Sequence, residues 1–487
     1  MINKKIKWMP VVIAACLCLI FAVPAFAATT PSFIALLSGL GSEFEGKLQP
    51  INIISEDNGI KMEVVSVMND GETAIIYLTL QDLTGNRVDK SFWLYNYHIE
   101  CDGENITCLP YLPELLNYDE ATNTATVRLI ADIIDSGIDT LNGKKITVYV
   151  EEFFSNKQEF DDFDTGINLS EITDEVNTVK VDMCDFFGDA MSWLMHEGFF
   201  EEQKQTIDIL KPNELHIPIP GVDFAYISNI GIIDGRLHVQ MCRNYSTTSM
   251  FITDYLALIA DSPDAVKGND YFEWDDYIYL PSFGTNFYVD QKGNIINYDE
   301  YIKNSYVNYD EYEEGKIYPE YSEIIYKANP DILPNCKLMA SDFSVYRNYS
   351  PCNLQATFEI DALKGSKSAE CDIDLGGLRL QKINLSPLGI TLFSNEDEAY
   401  TVSMDIFVTM ADCSVEKFGT LTIEKSMDYG NVSEISGWSL SDSSNVMAVS
   451  SKHGLNGEFN IKLIFNEPFD YEKAAFVTIN CNTVFLK

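Results

Sequence analysis

Hydrophobic residues recur along this chain with two different periods. In Pro31–Leu40 they fall at positions 33, 34, 36, 37 and 40, the spacing of one short amphipathic helix. After Pro50 the period becomes two. Ile60, Met62 and Val64 alternate, Asn69-Asp70-Gly71 turns the chain, and Ile76, Leu78 and Leu80 alternate on the way back. Thr84-Gly85-Asn86 turns it again, before runs at Phe92 to Cys101, Thr124 to Ile130 and Ile146 to Val150, with Asp102-Gly103 and Asn142-Gly143 between them. Period-two runs broken by Asn-Gly and Asp-Gly at short spacing predict antiparallel strand pairs. They mark a first β-sandwich over 48–156, preceded by a helical segment over 28–47.

The stretch Glu159 to Thr165 is acidic and loop-like, and Met183 to Gln203 reads as a capping helix with Phe186, Ala190, Trp193 and Leu194 on one face. Leu215 to Cys242 is the clearest hairpin, with Asp234-Gly235 between Ile230-Gly231-Ile232-Ile233 and Leu237-His238-Val239-Gln240. Tyr288 to Ile296 reads as another, and Phe343 to Tyr346 and Leu354 to Ile360 close a second sandwich over 157–362. Residues 363–369 are small, polar and locally basic, a linker pattern. Runs at Ile390 to Phe393, Tyr400 to Met410, Leu421 to Ile423, Ile461 to Phe465 and Phe476 to Phe485 make a third sandwich over 370–487. No short-period repeat of the solenoid type is present. The expected fold is all-β: three antiparallel immunoglobulin-like sandwiches in tandem with a few short capping helices.

The first residues change the picture by adding a compartment. Met1 to Lys7 carries three lysines and no acid, Trp8 to Val23 is almost purely apolar, and Ala25-Phe26-Ala27 precedes Ala28. A basic start, an apolar middle and small residues at Ala25 and Ala27 define a secretory signal peptide over 1–27, cut before Ala28. The same run is long enough to stay as a single membrane anchor of about 20 residues. Ile13-Ala14-Ala15-Cys16 resembles a lipoprotein box, but apolar residues continue beyond it. The expected location is therefore outside the cytoplasm, secreted or held in the cell envelope.

Charge narrows the partners. The 487 residues carry a net charge of −41, which becomes −44 once the three leader lysines are removed. A phosphate polymer is bound by neutralising its charge, so nucleic acid is not expected as a partner. Eleven cysteines are present, two of them in the leader. An odd remainder scattered over a long chain resembles buried small apolar residues more than a disulfide framework. Cys101 and Cys108 form the candidate disulfide: they face each other if Glu104-Asn105 is a two-residue turn, and do not if Asp102-Gly103 turns.

Candidate chemistry is sparse. Tyr271 to Tyr326 holds twelve of the 26 tyrosines together with many acids, an insertion over 268–326 in the second sandwich. Tyr298-Asp299-Glu300-Tyr301 recurs there as Tyr309-Asp310-Glu311-Tyr312. Aromatic faces beside carboxylates can stack on sugar rings and accept hydroxyl hydrogen bonds, so Tyr298, Tyr301, Tyr309 and Tyr312 are the candidate ligand surface, with a cell-wall glycan as ligand. The blander alternative is that they cover a long insertion. Asp162 to Gly166 and Asp372 to Gly376 space carboxylates before a glycine but lack the further acids of a calcium loop. The five histidines, His98, His196, His216, His238 and His453, form no metal-ligating or catalytic spacing, and no nucleophile elbow or P-loop occurs. No catalytic residue, metal or cofactor is assigned.

Several segments resemble one family. Ile227 with Ile230-Gly231-Ile232-Ile233-Asp234-Gly235-Arg236-Leu237-His238-Val239-Gln240 looks like part of an extracytoplasmic domain of unknown function, family 4179, of low-GC Gram-positive bacteria. Asn58-Gly59-Ile60-Lys61-Met62-Glu63-Val64 resembles its first strand, and Leu385-Ser386-Pro387-Leu388-Gly389-Ile390-Thr391-Leu392 the start of its C-terminal module. Pro468-Phe469-Asp470 through Val477-Thr478-Ile479-Asn480 resembles its closing strand, with Cys481 where glycine is expected. The family often forms the ectodomain of anti-sigma factors, behind their membrane helix. Such proteins carry a cytoplasmic sigma-binding domain, whereas here seven residues precede the apolar run. The resemblance implies an ectodomain without that part and supplies no catalytic residues. The expectation is a non-enzymatic binding or sensing protein with an envelope protein or cell-wall glycan as partner. A surface glycan-binding or adhesion protein is the second expectation and a secreted hydrolase the third.

Overall fold

The computed structural model describes residues 30–41, 44–108, 113–133, 138–182, 206–243, 251–274, 277–289, 295–296, 320–363, 365–396, 400–425, 435–441, 445–453 and 458–487. It is all-β, with one α-helix and a few short 3-10 segments among these residues. Helix α1 (Pro31–Leu40) starts as its sequence dictates: Thr30 caps the Phe33 N–H and Pro31 takes the first turn, where a missing N–H costs nothing.

The chain forms two compact units, 1–153 with 350–487, and 154–349. The first contains β1 (Gln49–Asp57), β2 (Ile60–Asn69), β3 (Thr73–Asp82), β4 (Trp93–Cys101), β5 (Glu104–Cys108), β6 (Glu114–Asp119), β7 (Thr124–Asp132) and the start of β8 (Lys144–Glu159). Asp102 and Gly103 both take positive φ, 53° and 89°, the two-residue turn whose twist matches the strands it joins. That turn sets Cys101 opposite Glu104 and Ile99 opposite Ile106. The condition for a Cys101–Cys108 disulfide is therefore not met: Cys101 is a free, buried thiol, and the Cys108 side chain lies outside the described residues.

In the second unit follow β9 (Phe163–Asp164), β10 (Thr178–Asp182), β11 (Thr206–Leu210), β12 (Ile217–Pro218), β13 (Ala225–Ile233), β14 (Arg236–Arg243), β15 (Phe251–Ala260), β16 (Phe272–Trp274) and β17 (Tyr277–Tyr279). The last are β18 (Ser282–Val289), β19 (Ile295–Ile296), β20 (Glu320–Tyr326) and the first half of β21 (Cys336–Ile360). One sheet runs β12-β13-β14-β20-β18-β19, and its Leu237, Val239 and Met241 pack on Leu256, Leu258 and Leu338 of a second layer built from β15 and β21. The β10–β11 hairpin covers the other face through Val181, Ile207 and Ile209. The hairpins expected at Asp234-Gly235 and at Tyr288 to Ile296 are present, Ile233 opposite Arg236 and Tyr288 opposite Ile296. The helix expected over 183–203 lies outside the described residues.

Three sandwiches in tandem is corrected by β21. Its second half, from Ser350, leaves the second unit and joins the first: Leu354, Ala356, Phe358 and Ile360 are buried with Val64, Leu78 and Val148. The second unit is thus an insertion of 154–349, and does not extend to 362. The first core is one sheet, ordered β1-β2-β3-β7-β5-β4-β8-β21, in place of the expected pair of sheets. It curls until its edges meet. Asp57 and Ser55 of β1 accept from the backbone of Asn353 and Gln355 at 2.9 and 3.1 Å, and Gln49 accepts from Asp361 at 2.9 Å.

The third module carries β22 (Lys367–Asp374), β23 (Leu378–Leu385), β24 (Gly389–Glu396), β25 (Tyr400–Met410), β26 (Val415–Lys425), β27 (Ile435–Ser441), β28 (Val446–His453), β29 (Glu458–Phe465), β30 (Ala474–Ile479) and β31 (Asn482–Phe485). Sheets β22-β23-β24-β29-β28 and β27-β26-β25-β30-β31 enclose one core, the sandwich expected over 370–487. The expected linker is part of the fold: Leu363 N–H donates to Asn69, Lys367 opens β22, and the Lys367 ammonium donates to the carbonyls of Glu472 and Ala474 at 2.7 and 2.8 Å. This module shares an apolar seam with the first sheet. Phe33 and Leu36 of α1, Val65 and Ile75 of β2 and β3, and Leu388 all bury in it.

Candidate functional site

The densest buried polar constellation lies between the β10–β11 hairpin and the sheet beneath it. Side chains alternate faces along a strand. As Leu237, Val239 and Met241 take one core, His238, Gln240 and Cys242 turn to the other face. On β20, Glu323 stands directly across from Gln240. The Glu323 carboxylate, fully buried, accepts from the Leu210 backbone N–H at 3.0 and 3.1 Å, from Gln240 Nε2 at 3.0 Å and from His238 Nδ1 at 2.7 Å. An ionised carboxylate only accepts, and against one His238 Nδ1 is the ring nitrogen that donates. Gln240 also donates to the Leu210 carbonyl at 2.7 Å and accepts from Ser228 Oγ at 2.7 Å, and Ser228 accepts from the Asn213 N–H at 2.9 Å.

A His–carboxylate pair resembles catalytic equipment, but a general acid or base must reach the atom it serves. The His238 side chain keeps 4% of its surface and Glu323 none. The cluster instead fastens residues 210–213 to the sheet. Nearby, burial first, with Cys242 second, pushes the Tyr226 hydroxyl up to about 12, and burial raises the Cys242 thiol. The alternation around His238 places it on the second face, as the sequence pattern expects. Glu323 was not foreseen. Its signal is a lone carboxylate inside Tyr321-Ser322-Glu323-Ile324-Ile325-Tyr326, an otherwise buried strand.

The sequence-derived ligand surface, Tyr298, Tyr301, Tyr309 and Tyr312, lies outside the described residues, as do Ala25, Ala27 and Ala28 of the leader. Other aromatics of the same insertion are described. Phe272 pairs across from Tyr279 in the β16–β17 hairpin, their rings stacked at 5.3 Å and 9°, and Tyr277 meets Tyr279 edge-on at 6.2 Å. Ile278 points the other way, into the core. Phe272 keeps 47% exposure and Tyr277 46%, and Tyr255 of β15, at 41%, presents to the same face. An aromatic face of this kind offers exposed ring surface, with the Tyr277 hydroxyl to hydrogen-bond at its edge.

The Asp-Gly turns weighed as calcium loops hold their carboxylates on the chain itself. Asp162 accepts from Ser341 Oγ at 2.8 Å, Asp164 from the Gly166 N–H at 2.8 Å, and Asp372 from Arg379 at 2.6 and 2.8 Å.

Fold and surface define an all-β protein with a sealed polar clamp and an open aromatic face. Residues 3–82 match the family described as Domain of unknown function (DUF4179), the family its motifs resemble. No curated protein matches the chain. Among solved structures it is similar, at 9% identity and a TM-score of 0.18, to the crystal structure of the conserved domain protein from Bacillus anthracis, over 74% of this chain and 84% of that one.

Proposed function

We propose that the protein is a non-enzymatic binding and sensing protein, exported or held in a Gram-positive cell envelope. The family match carries this reading. It spans residues 3–82, from the apolar segment 8–23 through helix α1 into β3. The test is fractionation of the native host with N-terminal sequencing of the product. A mature start at Ala28 outside the membrane, or a full-length species within it, is expected; a full-length cytosolic protein overturns the proposal.

The aromatic face formed by Phe272, Tyr277, Tyr279 and Tyr255 favours a second reading, a surface protein that binds cell-wall glycan. Co-sedimentation with purified wall tests it. Replacing Phe272, Tyr277 and Tyr279 together by alanine should abolish retention, and unchanged retention would remove this reading while leaving the first intact.

A further inference from the structure

Lys462 is the most deeply buried ammonium in the described residues. It lies on β29, where Phe459, Ile461 and Leu463 take the core of the third module and Lys462 turns to the seam with the first sheet, at 1% exposure. Gly389 makes room for it. A Cβ there would stand 2.5 Å from the Leu463 carbonyl and 3.0 Å from Lys462 Cε.

What the ammonium meets is the β2–β3 turn. Its Nζ lies 2.8 Å from Asp70 Oδ2 and 3.1 Å from Oδ1, so it sits opposite the carboxyl carbon, and 3.3 Å from Glu72 Oε2. Each Asp70 oxygen is separately held. Oδ1 accepts the backbone N–H groups of Glu72 and Thr73 at 3.1 and 2.9 Å. Oδ2 accepts Ser386 Oγ–H at 2.5 Å. A third acid, Asp132, fully buried, accepts from Thr73 and, at 3.4 Å, from Ser450. Burying an ammonium beside the buried Asp70 and Asp132, with the half-buried Glu72 as a third acid, is costly, because desolvation of the buried ions is only partly repaid by attraction. Turning one ion pair into an amide removes two of those charges.

We propose that Lys462 and Asp70 condense into an isopeptide bond, with Glu72 as the proton carrier. A proton first passes from Nζ to the Asp70 carboxyl, leaving a neutral amine against a neutral acid. The Nζ lone pair forms a bond to Cγ. The charge that develops on Oδ1 falls on the two backbone N–H groups already aimed at it, the arrangement of an oxyanion hole. Glu72 takes a proton from Nζ and returns it to Oδ2, assisted by Ser386. The Cγ–Oδ2 bond breaks and Oδ2 leaves as water. One N–C bond forms, one water is lost, and no oxidant or activating group is consumed. Pre-set reactants of this kind reach effective molarities of about 10⁵–10⁸ M, which lets an amide form without prior activation. The bond joins positions 392 residues apart and welds the third module to the first sheet.

Tryptic mapping of the full-length folded protein tests this independently of N-terminal processing. The bond predicts that residues 62–87 and 453–473 migrate as one species, uncut at Lys462 and lighter than the two peptides' sum by one water. Glu72→Gln keeps both reacting groups and should lower the linked fraction at least tenfold after equal incubation. Lys462→Met should abolish it. Unlinked peptides cut normally after Lys462 from the folded wild-type protein overturn the bond and leave a buried ion pair. Full linkage in Glu72→Gln overturns the role given to Glu72, and linkage of Lys462 to a carboxyl other than Asp70 overturns the assignment.

Discussion

Replacing Glu323 by leucine removes the acceptor that holds the β10–β11 hairpin to its sheet. Three donors converge on that carboxylate: the Leu210 N–H, His238 Nδ1 and Gln240 Nε2. They do not suffer equally. Gln240 Nε2 keeps its 2.7 Å bond to the Leu210 carbonyl, so two donors are orphaned. An orphaned buried donor costs about 1–3 kcal/mol, giving a loss of roughly 2–6 kcal/mol confined to this layer. Each 1.4 kcal/mol is about a factor of ten in an opening equilibrium, so exchange of the Leu210 amide should rise about thirtyfold or more. Hydrogen exchange read by mass spectrometry on peptides covering 206–210 measures it, with peptides of β25 and β26 as an internal reference that should not move. The double variant His238→Leu with Glu323→Leu should recover part of the loss, because one orphan disappears with its side chain. Unchanged protection of 206–210 in the single variant would refute the claim that this carboxylate is the fastening.

Burial raises the thiols of Cys352 to about 12 and of Cys336 and Cys371 to about 11, and raises those of Cys101 and Cys242 as well. Alkylation needs the thiolate, so at pH 8 the exposed Cys413 and Cys481 should be labelled first of the seven described thiols, and the others only after denaturation; early labelling of Cys352 in the native protein would contradict the packing. Leu36→Ala empties a buried position in the seam under α1 and should cost about 2–5 kcal/mol, read as a lower urea midpoint and faster proteolysis within 31–40; an unchanged midpoint would mean that the helix is not docked.

Local signals were legible and long-range partners were not. Asp102-Gly103 and Asp234-Gly235 specify their turns because both positions must accept positive φ, and the sequence carries residues that do so cheaply. The helix at Pro31–Leu40 and the third sandwich follow from periods of 3.6 and two. The inserted unit escaped notice because β21 changes partners at Ser350 without changing its conformation. Leu354, Ala356, Phe358 and Ile360 keep an unbroken alternation, and Pro351 beside Ser350 is the single local mark of the place where one core ends and another begins, with no glycine or charge run around it. The two buried ionic clusters escaped for a related reason. Asp70 sits in a turn, where an aspartate is expected for its own backbone hydrogen bonds, and Lys462 in a strand, where a lysine is expected to face water. Only the arrival of each beside the other, from opposite ends of the chain, makes them unusual.

The insertion also decides how the protein bears a load. In a tandem array every domain lies in series, and a pull on the two ends stretches all of them. Here both ends of the chain belong to the first unit, and residues 154–349 enter and leave it through β8 and β21, which are hydrogen-bonded neighbours in one sheet. Tension applied across the first unit is carried by that sheet and by the seam behind it. The strands that bound the insertion are thus neighbours in the first unit, so the cut made by 154–349 falls between two paired strands and not between two domains.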